Sequence, residues 1–188
     1  KVSFNIKGGY KNQKNYAFFV NNILNSPGAV GANLQGFEYG NSFGIAYDDL
    51  KTLSLGGELK FDINKDSNIG FSGEFNSYST KDLEEAWHLP TFKIGADANF
   101  KITEKWFAGA NVFFVGERYG KENILITDEF ANQTMLSQKL TLDSYFDINA
   151  KVLYKYNERI SGYVKLNNIA GQNYMRYANY PVQGFQFL

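Results

Sequence analysis

Cysteine is absent from this 188-residue chain, proline occurs three times and histidine once. Without cysteine the chain has no disulfide scaffold, no thiol nucleophile and no cysteine-ligated metal site. An excess of positive charge is missing as well, because 19 Lys and Arg residues balance 19 Asp and Glu residues. Nucleic acid is therefore not expected as a partner, since neutralising phosphates requires clustered basic residues.

Long apolar runs are also missing, and the longest, such as Tyr16–Val20 and Val112–Val115, are far too short for a transmembrane helix. Disorder is excluded too, because hydrophobic residues make up 44% of the chain and aromatic residues 17%. The chain opens directly on an alternating pattern, so we expect any targeting segment to have been removed or to lie upstream. A transmembrane barrel remains compatible with the composition, since it places apolar residues at every second position.

Alternation of apolar and polar residues is the main pattern of the chain. In Thr91–Ile102 every even-numbered residue is apolar and every odd-numbered residue is polar or glycine, and Thr52–Ile63 and Phe146–Tyr156 largely repeat this. Side chains of a strand point alternately to opposite faces, so each segment is predicted to be a strand with one apolar and one polar face. At about 10 to 12 residues these strands are longer than most soluble ones and suit a tilted crossing of a bilayer.

The rest of the chain is also predicted to form strands. Weaker strands are predicted at Val2–Tyr10, Tyr16–Asn22, Ile69–Tyr78, Trp106–Glu117 and Ile160–Asn168, with a last one from Gln183. A turn of helix is predicted only at Lys81–His88. The chain is therefore predicted to be all-β, with roughly nine strands.

The predicted connections alternate between short and long. The short turns are Lys11–Asn15, Asn64–Asn68, Thr103–Lys105 and Asn157–Arg159, and the long loops are Ile23–Gly40, Ser79–Pro90, Arg118–Thr141 and Ala170–Val182. This order puts the short turns on one rim of the sheet and the long loops on the other, and aromatic residues lie near both rims. Short periplasmic turns, long extracellular loops and two aromatic girdles are typical of outer-membrane barrels. We therefore predict an antiparallel, up-and-down transmembrane β-barrel.

Soluble proteins can show the same alternation. A soluble antiparallel sheet has one buried and one solvated face, and a soluble lipid-binding barrel turns its apolar residues inward. Alternation alone does not say which face is inside. The loop asymmetry and the aromatic girdles favour the membrane interpretation.

The C-terminal stretch Leu142–Leu188 resembles the end of the barrel of TonB-dependent outer-membrane receptors. Asn168, Ile169 and Tyr174 match that family's pattern of a strand closing on an Asn-hydrophobic element, followed by a tyrosine. The segments YDDLKTLSLGGELKFDINKDSNIGFSGEFNSYS and WFAGANVFFVGERYG resemble its late barrel strands. The resemblance implies a barrel of about 22 strands around an N-terminal plug. Such receptors take up scarce ligands such as iron chelates, cobalamin or glycans, with energy from an inner-membrane complex.

From this resemblance we expect residues 1–188 to be one barrel segment, the C-terminal portion of a larger receptor barrel, without the plug domain. The location would be the outer membrane of a Gram-negative bacterium. The partners would be outer-membrane lipid, the plug domain and TonB complex of the full-length protein, and a small-molecule or glycan ligand. The alternatives are a self-contained small barrel with an anchoring or adhesive role and a soluble β-barrel binding protein.

Candidate functional residues fall into two groups. Those expected to face the lumen are Glu58, Lys60, Asp62, Lys93, Asp97, Asn99, Lys101, Asp147, Asn149 and Lys151. Those expected to contact a ligand from the long loops are Tyr119, Phe130, Tyr174, Tyr177 and Tyr180, because loops on a rigid scaffold carry recognition.

Neither a metal site nor a catalytic site is predicted. His88 lies beside Glu84 and Glu85, but a lone histidine in a loop is far more often a surface residue than a ligand. A serine triad would have to use this same histidine, and the sequence has no nucleophile-elbow pattern. No cofactor and no enzymatic activity are therefore expected.

Overall fold

The computed structural model describes residues 1–24, 42–127 and 132–188. The strands are β1 (Val2–Leu24), β2 (Ser42–Asn64), β3 (Ser67–Thr80), β4 (Phe92–Lys101), β5 (Trp106–Val115), β6 (Arg118–Thr127), β7 (Gln133–Leu142), β8 (Tyr145–Lys155), β9 (Ser161–Asn167), β10 (Met175–Tyr177), β11 (Tyr180–Pro181) and β12 (Gln186–Phe187). Across these ranges no helix combines the length and the apolar character that crossing a bilayer requires. The predicted all-β class is confirmed.

Ten of the strands form one sheet in the order β12-β9-β8-β5-β4-β3-β2-β1-β6-β7. Neighbours pair antiparallel throughout, with one exception at β1 and β6. There Asn21–Leu24 runs parallel to Glu122–Leu125. The hairpin β6–β7 therefore leaves the sheet between β5 and β8 and joins it again at the β1 end.

The predicted alternation of connections is confirmed beyond β1. The short turns 65–66, 102–105 and 156–160 share one rim, which we call the short rim. The connections 81–91, 116–144 and 168–185 share the opposite rim, the long rim. Of the residues predicted in long loops, most of Ile23–Gly40 and Phe130 lie outside the described residues.

The predicted turn at Lys11–Asn15 is wrong, because β1 runs through it as one strand of 23 residues. Its register against β2 shifts between Gln13 and Tyr16, and Asn15 has a φ of 51°. Two residues of β1 thus oppose the single residue Asp49, which defines a β-bulge. The Asp49 carboxylate accepts a hydrogen bond from the backbone N–H of Asn15 at 3.2 Å and holds the bulge in place.

Two further expectations fail on the long rim. The predicted loop Arg118–Thr141 is the hairpin β6–β7, whose ladder is continuous from Arg118–Leu142 to Thr127–Gln133. The predicted helical turn at Lys81–His88 consists of bends and one turn.

Large apolar side chains are exposed along one face of the sheet, which we call the apolar face. Phe4 is 77% exposed, Ile63 57% and Ile94 45%. The buried clusters, in contrast, lie toward the long rim, and one of them is formed by Phe18, Leu50 and their neighbours. The sheet between the rims therefore leaves its apolar residues uncovered, as a strand surface facing an apolar medium would.

Candidate functional site

The opposite face of the sheet, the polar face, carries all ten predicted lumen residues. Strand pairing places Lys60 opposite Gly70, Gly70 opposite Asp97, Asp97 opposite Asn111, and Asn111 opposite Asn149. These five positions form one row across the sheet, and the remaining predicted residues lie in adjacent rows with the same side-chain direction. The sequence pattern therefore identified one continuous surface.

Several charges on the polar face form ion pairs that are partly or fully exposed. Lys7 Nζ lies 2.6 Å from the Glu58 carboxylate, and Lys60 Nζ lies 3.4 Å from that of Asp62. Near the short rim Lys101 Nζ lies 3.0 Å from the Glu104 carboxylate. Exposed pairs of this kind contribute little stability. They instead make a hydrated surface of mixed sign.

Lys151 and Lys165 stand directly opposite each other on neighbouring strands of the polar face. They line a hollow of about 180 Å³ together with Asn99 and Asn149. None of the salt bridges within the described ranges includes either lysine. Like charges opposite each other are destabilising, and Asp97, which also lines this hollow, supplies a negative charge there.

The long rim is covered by three segments, which we call the cap: residues 81–91, the hairpin β6–β7 and residues 168–185. Asp48, at the long-rim end of β2, holds the first segment. Its Oδ2 accepts hydrogen bonds from the backbone N–H groups of Asp82 and Leu83, both at 2.8 Å, and from that of Lys81 at 3.0 Å. Burial alone acts to raise the pKa of Asp48, but these N–H groups outweigh it and hold the pKa below 3.8. The anchor thus stays charged at neutral pH.

His88 is only 8% exposed, so the expectation of a surface histidine is wrong. Its backbone has a φ of 62°, and its N–H donates to the Tyr119 carbonyl at 2.7 Å. Within the described ranges no three His, Asp or Glu side chains are grouped to hold a metal ion. His88 therefore contributes to packing inside the cap.

A stack of buried side chains joins the hairpin to β8 and to residues 168–185. Arg118 lies over the Tyr145 ring at 4.9 Å, and that ring stacks on Tyr174 with centroids 3.7 Å apart. The Tyr174 hydroxyl donates to Asp147 Oδ2 at 2.6 Å. Burial, followed by this carboxylate, raises the pKa of Tyr174. Tyr174, which was predicted to contact ligand, and Asp147, which was predicted to face the lumen, are both engaged in this stack.

Replacing Tyr174 with phenylalanine should lower the free energy of unfolding by about 1–3 kcal/mol. The substitution leaves Asp147 without its partner, and the second carboxylate oxygen, Oδ1, already has none. A urea titration of the protein in detergent measures the change. Tyr163→Phe is the control, because Tyr163 is 62% exposed and a change there should be nearly neutral. Equal stability of both variants would show that the buried bond contributes nothing.

The remaining predicted ligand tyrosines lie at different depths. Tyr119 packs against the Phe18 cluster, with Lys139 Nζ 4.1 Å from its ring centroid. Tyr177 and Tyr180 surround two aromatic residues of β1 and β2. Tyr177 makes edge contacts with Phe19 at 5.9 Å and Phe43 at 5.7 Å, and Tyr180 stacks on Phe43 at 4.3 Å.

Phe19, Phe43, Tyr177 and Tyr180 form what we call the aromatic patch. Three of its side chains remain open to solvent, since Phe19 is 45%, Tyr177 39% and Phe43 37% exposed. Sequence reasoning did not find Phe19 and Phe43, because Phe19 was counted as a strand residue and Phe43 was assigned to no predicted element. Their partners lie more than 130 positions away in the chain, and local periodicity carries no signal for such contacts.

Asn168, the asparagine of the family resemblance, organises the third segment of the cap. It is 3% exposed with a φ of 47°. Its Oδ1 accepts the Gln172 N–H at 3.0 Å, and its Nδ2 donates to the carbonyls of Gln172 and Gln183 at 2.9 and 3.2 Å. Its own N–H donates to Asn149 Oδ1 at 3.2 Å and so ties the segment to the sheet.

Comparison with known proteins gives matches in structure alone. No family model and no curated protein matches the sequence. The ferripyoverdine receptor of the outer membrane of Pseudomonas aeruginosa, bound to ferripyoverdine, superimposes with a TM-score of 0.64 at 10% identity, over 99% of this chain and 24% of that one. The FpvAI–pyocin S2 complex matches with a TM-score of 0.63 at 10% identity, over 99% and 23% of the two chains.

A third match is the ferric-catecholate import receptor Fiu from K12 E. coli, with a TM-score of 0.60 at 12% identity, over 99% of this chain and 24% of that one. The chain thus spans about a quarter of the length of the solved structures that it matches. These structures are TonB-dependent outer-membrane receptors and not enzymes. The resemblance that the sequence indicated is confirmed at the level of the fold.

Proposed function

We propose that this chain is part of the barrel of a TonB-dependent receptor in the outer membrane of a Gram-negative bacterium. The receptor would import a scarce ligand such as an iron chelate, cobalamin or a glycan. The observation that carries the proposal is the combination of an exposed apolar face, a hydrated polar face and a cap on one rim only. A receptor barrel needs all three, toward lipid, lumen and ligand respectively.

The apolar face supports contact with outer-membrane lipid. Ile6, Leu53 and Ile94 are 71%, 60% and 45% exposed, and all lie on strands long enough to cross a bilayer. A soluble binding barrel would turn such residues inward. The exposed apolar residues therefore favour a membrane barrel over a soluble one.

The polar face supports a lumen that is filled by the rest of the receptor. In this proposal residues 1–188 are one segment of the larger barrel, and the plug domain and TonB complex belong to the full-length protein. The edge of β1 that faces away from β2 has no neighbouring strand before Asn21 among the described residues, and in the complete barrel it would pair with another strand, since open sheet edges invite pairing.

The aromatic patch is the proposed ligand contact, because exposed rings offer flat surfaces for stacking. Tyr177→Ala together with Tyr180→Ala in the full-length protein should reduce uptake at limiting ligand by about tenfold, as loss of one or two aromatic contacts does. Uptake of labelled ferric chelate, cobalamin and oligosaccharide is measured separately, with and without the proton-motive force. Tyr156→Ala is the matched control, since Tyr156 is 59% exposed at the short rim.

Two outcomes would contradict the proposal. Uptake that persists without the proton-motive force would exclude energised import, and uptake that is unchanged in the double variant would exclude the aromatic patch as the contact. Heat-modifiability on a gel checks that every variant forms its barrel.

A self-contained small barrel is the second candidate, and the parallel pairing of β6 with β1 favours it. That pairing ties the middle of the chain back to the edge of its own sheet. Refolding the chain alone in detergent separates the two candidates. A compact, fast-migrating form of residues 1–188 alone would support the small barrel, whereas compaction only of a longer product would support the receptor segment.

A further inference from the structure

His88 lies where four parts of the chain meet. Its backbone N–H donates to the Tyr119 carbonyl of the hairpin at 2.7 Å, and its ring receives the Ala178 N–H at Nε2 over 3.4 Å. The ring also lies 5.1 Å from that of Tyr177. Asn21 of β1 completes the junction, because its Nδ2 donates to the Ala178 carbonyl at 3.4 Å.

These contacts determine which protonation state of the His88 ring fits the junction. Because Nε2 accepts the Ala178 N–H, it carries no proton, and the neutral ring holds its proton on Nδ1. A proton on Nε2 would face an N–H donor and leave both groups unsatisfied. The ring fits against the hairpin because residue 120 is glycine, since a Cβ added at Gly120 would lie 3.0 Å from Nε2.

We propose that the neutral ring of His88 is a latch that holds residues 168–185 against the loop 81–91 over the long rim, and that protonation of this ring in mild acid releases them. The cap would be closed at neutral pH and would loosen progressively as the pH falls below about 6.5. The latch depends on packing within the cap and is independent of the proposed transport function.

The pKa of His88 agrees with this direction. Burial lowers it to about 4, the Phe19 carbonyl opposes this, and the charge of Arg118 lowers it further. A folded-state pKa below the ordinary value of about 6.5 means that the closed cap disfavours the proton. The stability that His88 contributes is therefore complete above pH 6.5, declines as the pH falls toward 4, and changes no further below that.

Other charged residues lie on the elements that pack around His88. They are Arg118 and Glu122 on β6, Arg176 on β10, Asp48 on β2, and Glu84 and Glu85 on the loop of His88 itself. Phe19 and Asn21 of β1 contribute neutral groups. The Glu122 carboxylate accepts a hydrogen bond from Asn179 Nδ2 at 3.0 Å and another from Gln138 Nε2 at 2.6 Å. Glu85 is paired with Lys139 at 2.5 Å. Glu122 is the carboxylate that must be controlled, because it also holds residues 168–185.

Hydrogen exchange of the full-length protein in detergent tests the latch. Protection of the backbone amides of residues 85–89, 91 and 175–180 is followed at pH 7.5 and 5.0, corrected for intrinsic exchange. In the unaltered protein protection should fall on the order of tenfold, as expected from linkage for one histidine with partial screening. His88→Gln keeps an acceptor near Nε2 but cannot titrate, so its protection should be the same at both pH values. Glu122→Gln should keep the pH-dependent loss.

Three results would overturn the latch. They are a pH-independent protection in the unaltered protein, a loss that survives in His88→Gln, and a loss that disappears in Glu122→Gln. Should His88→Gln fail to fold, Gly120→Ala provides the second test. Its added methyl crowds Nε2, so protection should already be reduced at pH 7.5, and unchanged protection there would contradict a role of the ring in closing the cap.

Discussion

Lysine in place of Ile94 is expected to abolish insertion of the barrel into the outer membrane, whereas alanine in place of the adjacent Lys93 should be tolerated. Ile94 lies on the apolar face of β4, opposite Phe114 of β5, and is 45% exposed. A lysine facing lipid costs about 2–4 kcal/mol at the bilayer midplane and less toward the interfaces. Lys93 points to the polar face, where losing one charge among many matters little.

The comparison uses two neighbouring residues on one strand, so local position in the sequence is held constant. Insertion is measured as heat-modifiable barrel in outer-membrane fractions, with total expression determined in parallel. Ala96→Lys should behave like Ile94→Lys, since Ala96 has the same side-chain direction. Equal insertion of the Ile94, Ala96 and Lys93 variants would refute the assignment of the two faces and the membrane location with it.

Replacing Asn168 with alanine should lower the free energy of unfolding by about 3 kcal/mol, the largest effect expected in the cap. The substitution removes three buried side-chain hydrogen bonds, each contributing about 1 kcal/mol. It also places a Cβ without hydrogen-bonding capacity at a φ of 47°, a region that asparagine and glycine tolerate better. Urea denaturation and the protease sensitivity of residues 168–185 measure the effect.

Asn168→Gly separates the two contributions, because glycine loses the hydrogen bonds but accepts the positive φ. Asn168→Gly should lower the free energy of unfolding by less than Asn168→Ala does. The difference between the two variants measures the cost of placing a Cβ at this positive φ. A change below about 0.5 kcal/mol in both variants, as at an ordinary surface position, would mean that the asparagine does not hold the segment.

The sequence predicted the strands of the sheet well where burial and exposure alternate strictly. The predicted Thr91–Ile102 and Phe146–Tyr156 agree with β4 and β8 within one residue at each end. In such strands the polarity of each side chain indicates the face on which it lies, so one sequence is enough to predict the strand and its two faces. The same property identified the polar face.

The failures have a common physical cause, which is pairing that leaves no mark on the local pattern. The bulge in β1 has the polar composition of a turn, and what keeps the strand continuous is the Asp49 carboxylate of another strand. The hairpin from Arg118 was predicted as a loop because its polar residues lack a consistent apolar face. Its strands are held by each other's backbone groups instead.

The cap could not be predicted for a similar reason. His88 was expected at the surface, because a loop position is usually solvated. Its burial follows from Tyr119 and Ala178, which lie 31 and 90 positions further along the chain. Within residues 168–185 the sequence marked Asn168, Ile169 and the tyrosines as important, and it assigned Tyr174 a ligand role where the structure shows a stack with Tyr145.

The parallel pairing of β1 with β6 has a consequence for the order in which the molecule folds. Its partners, such as Asn21 and Glu122, are 101 positions apart, whereas the antiparallel pairs of β2 with β3 close through a turn of two residues. Contacts of long sequence separation form late, because closing a large loop costs entropy before any contact repays it. The hairpin should therefore dock after the antiparallel sheet has formed. The four-residue pairing of β1 with β6 should also be the first to open. Slow docking after fast sheet formation would appear as a second kinetic phase, seen at the long rim and not at the short one.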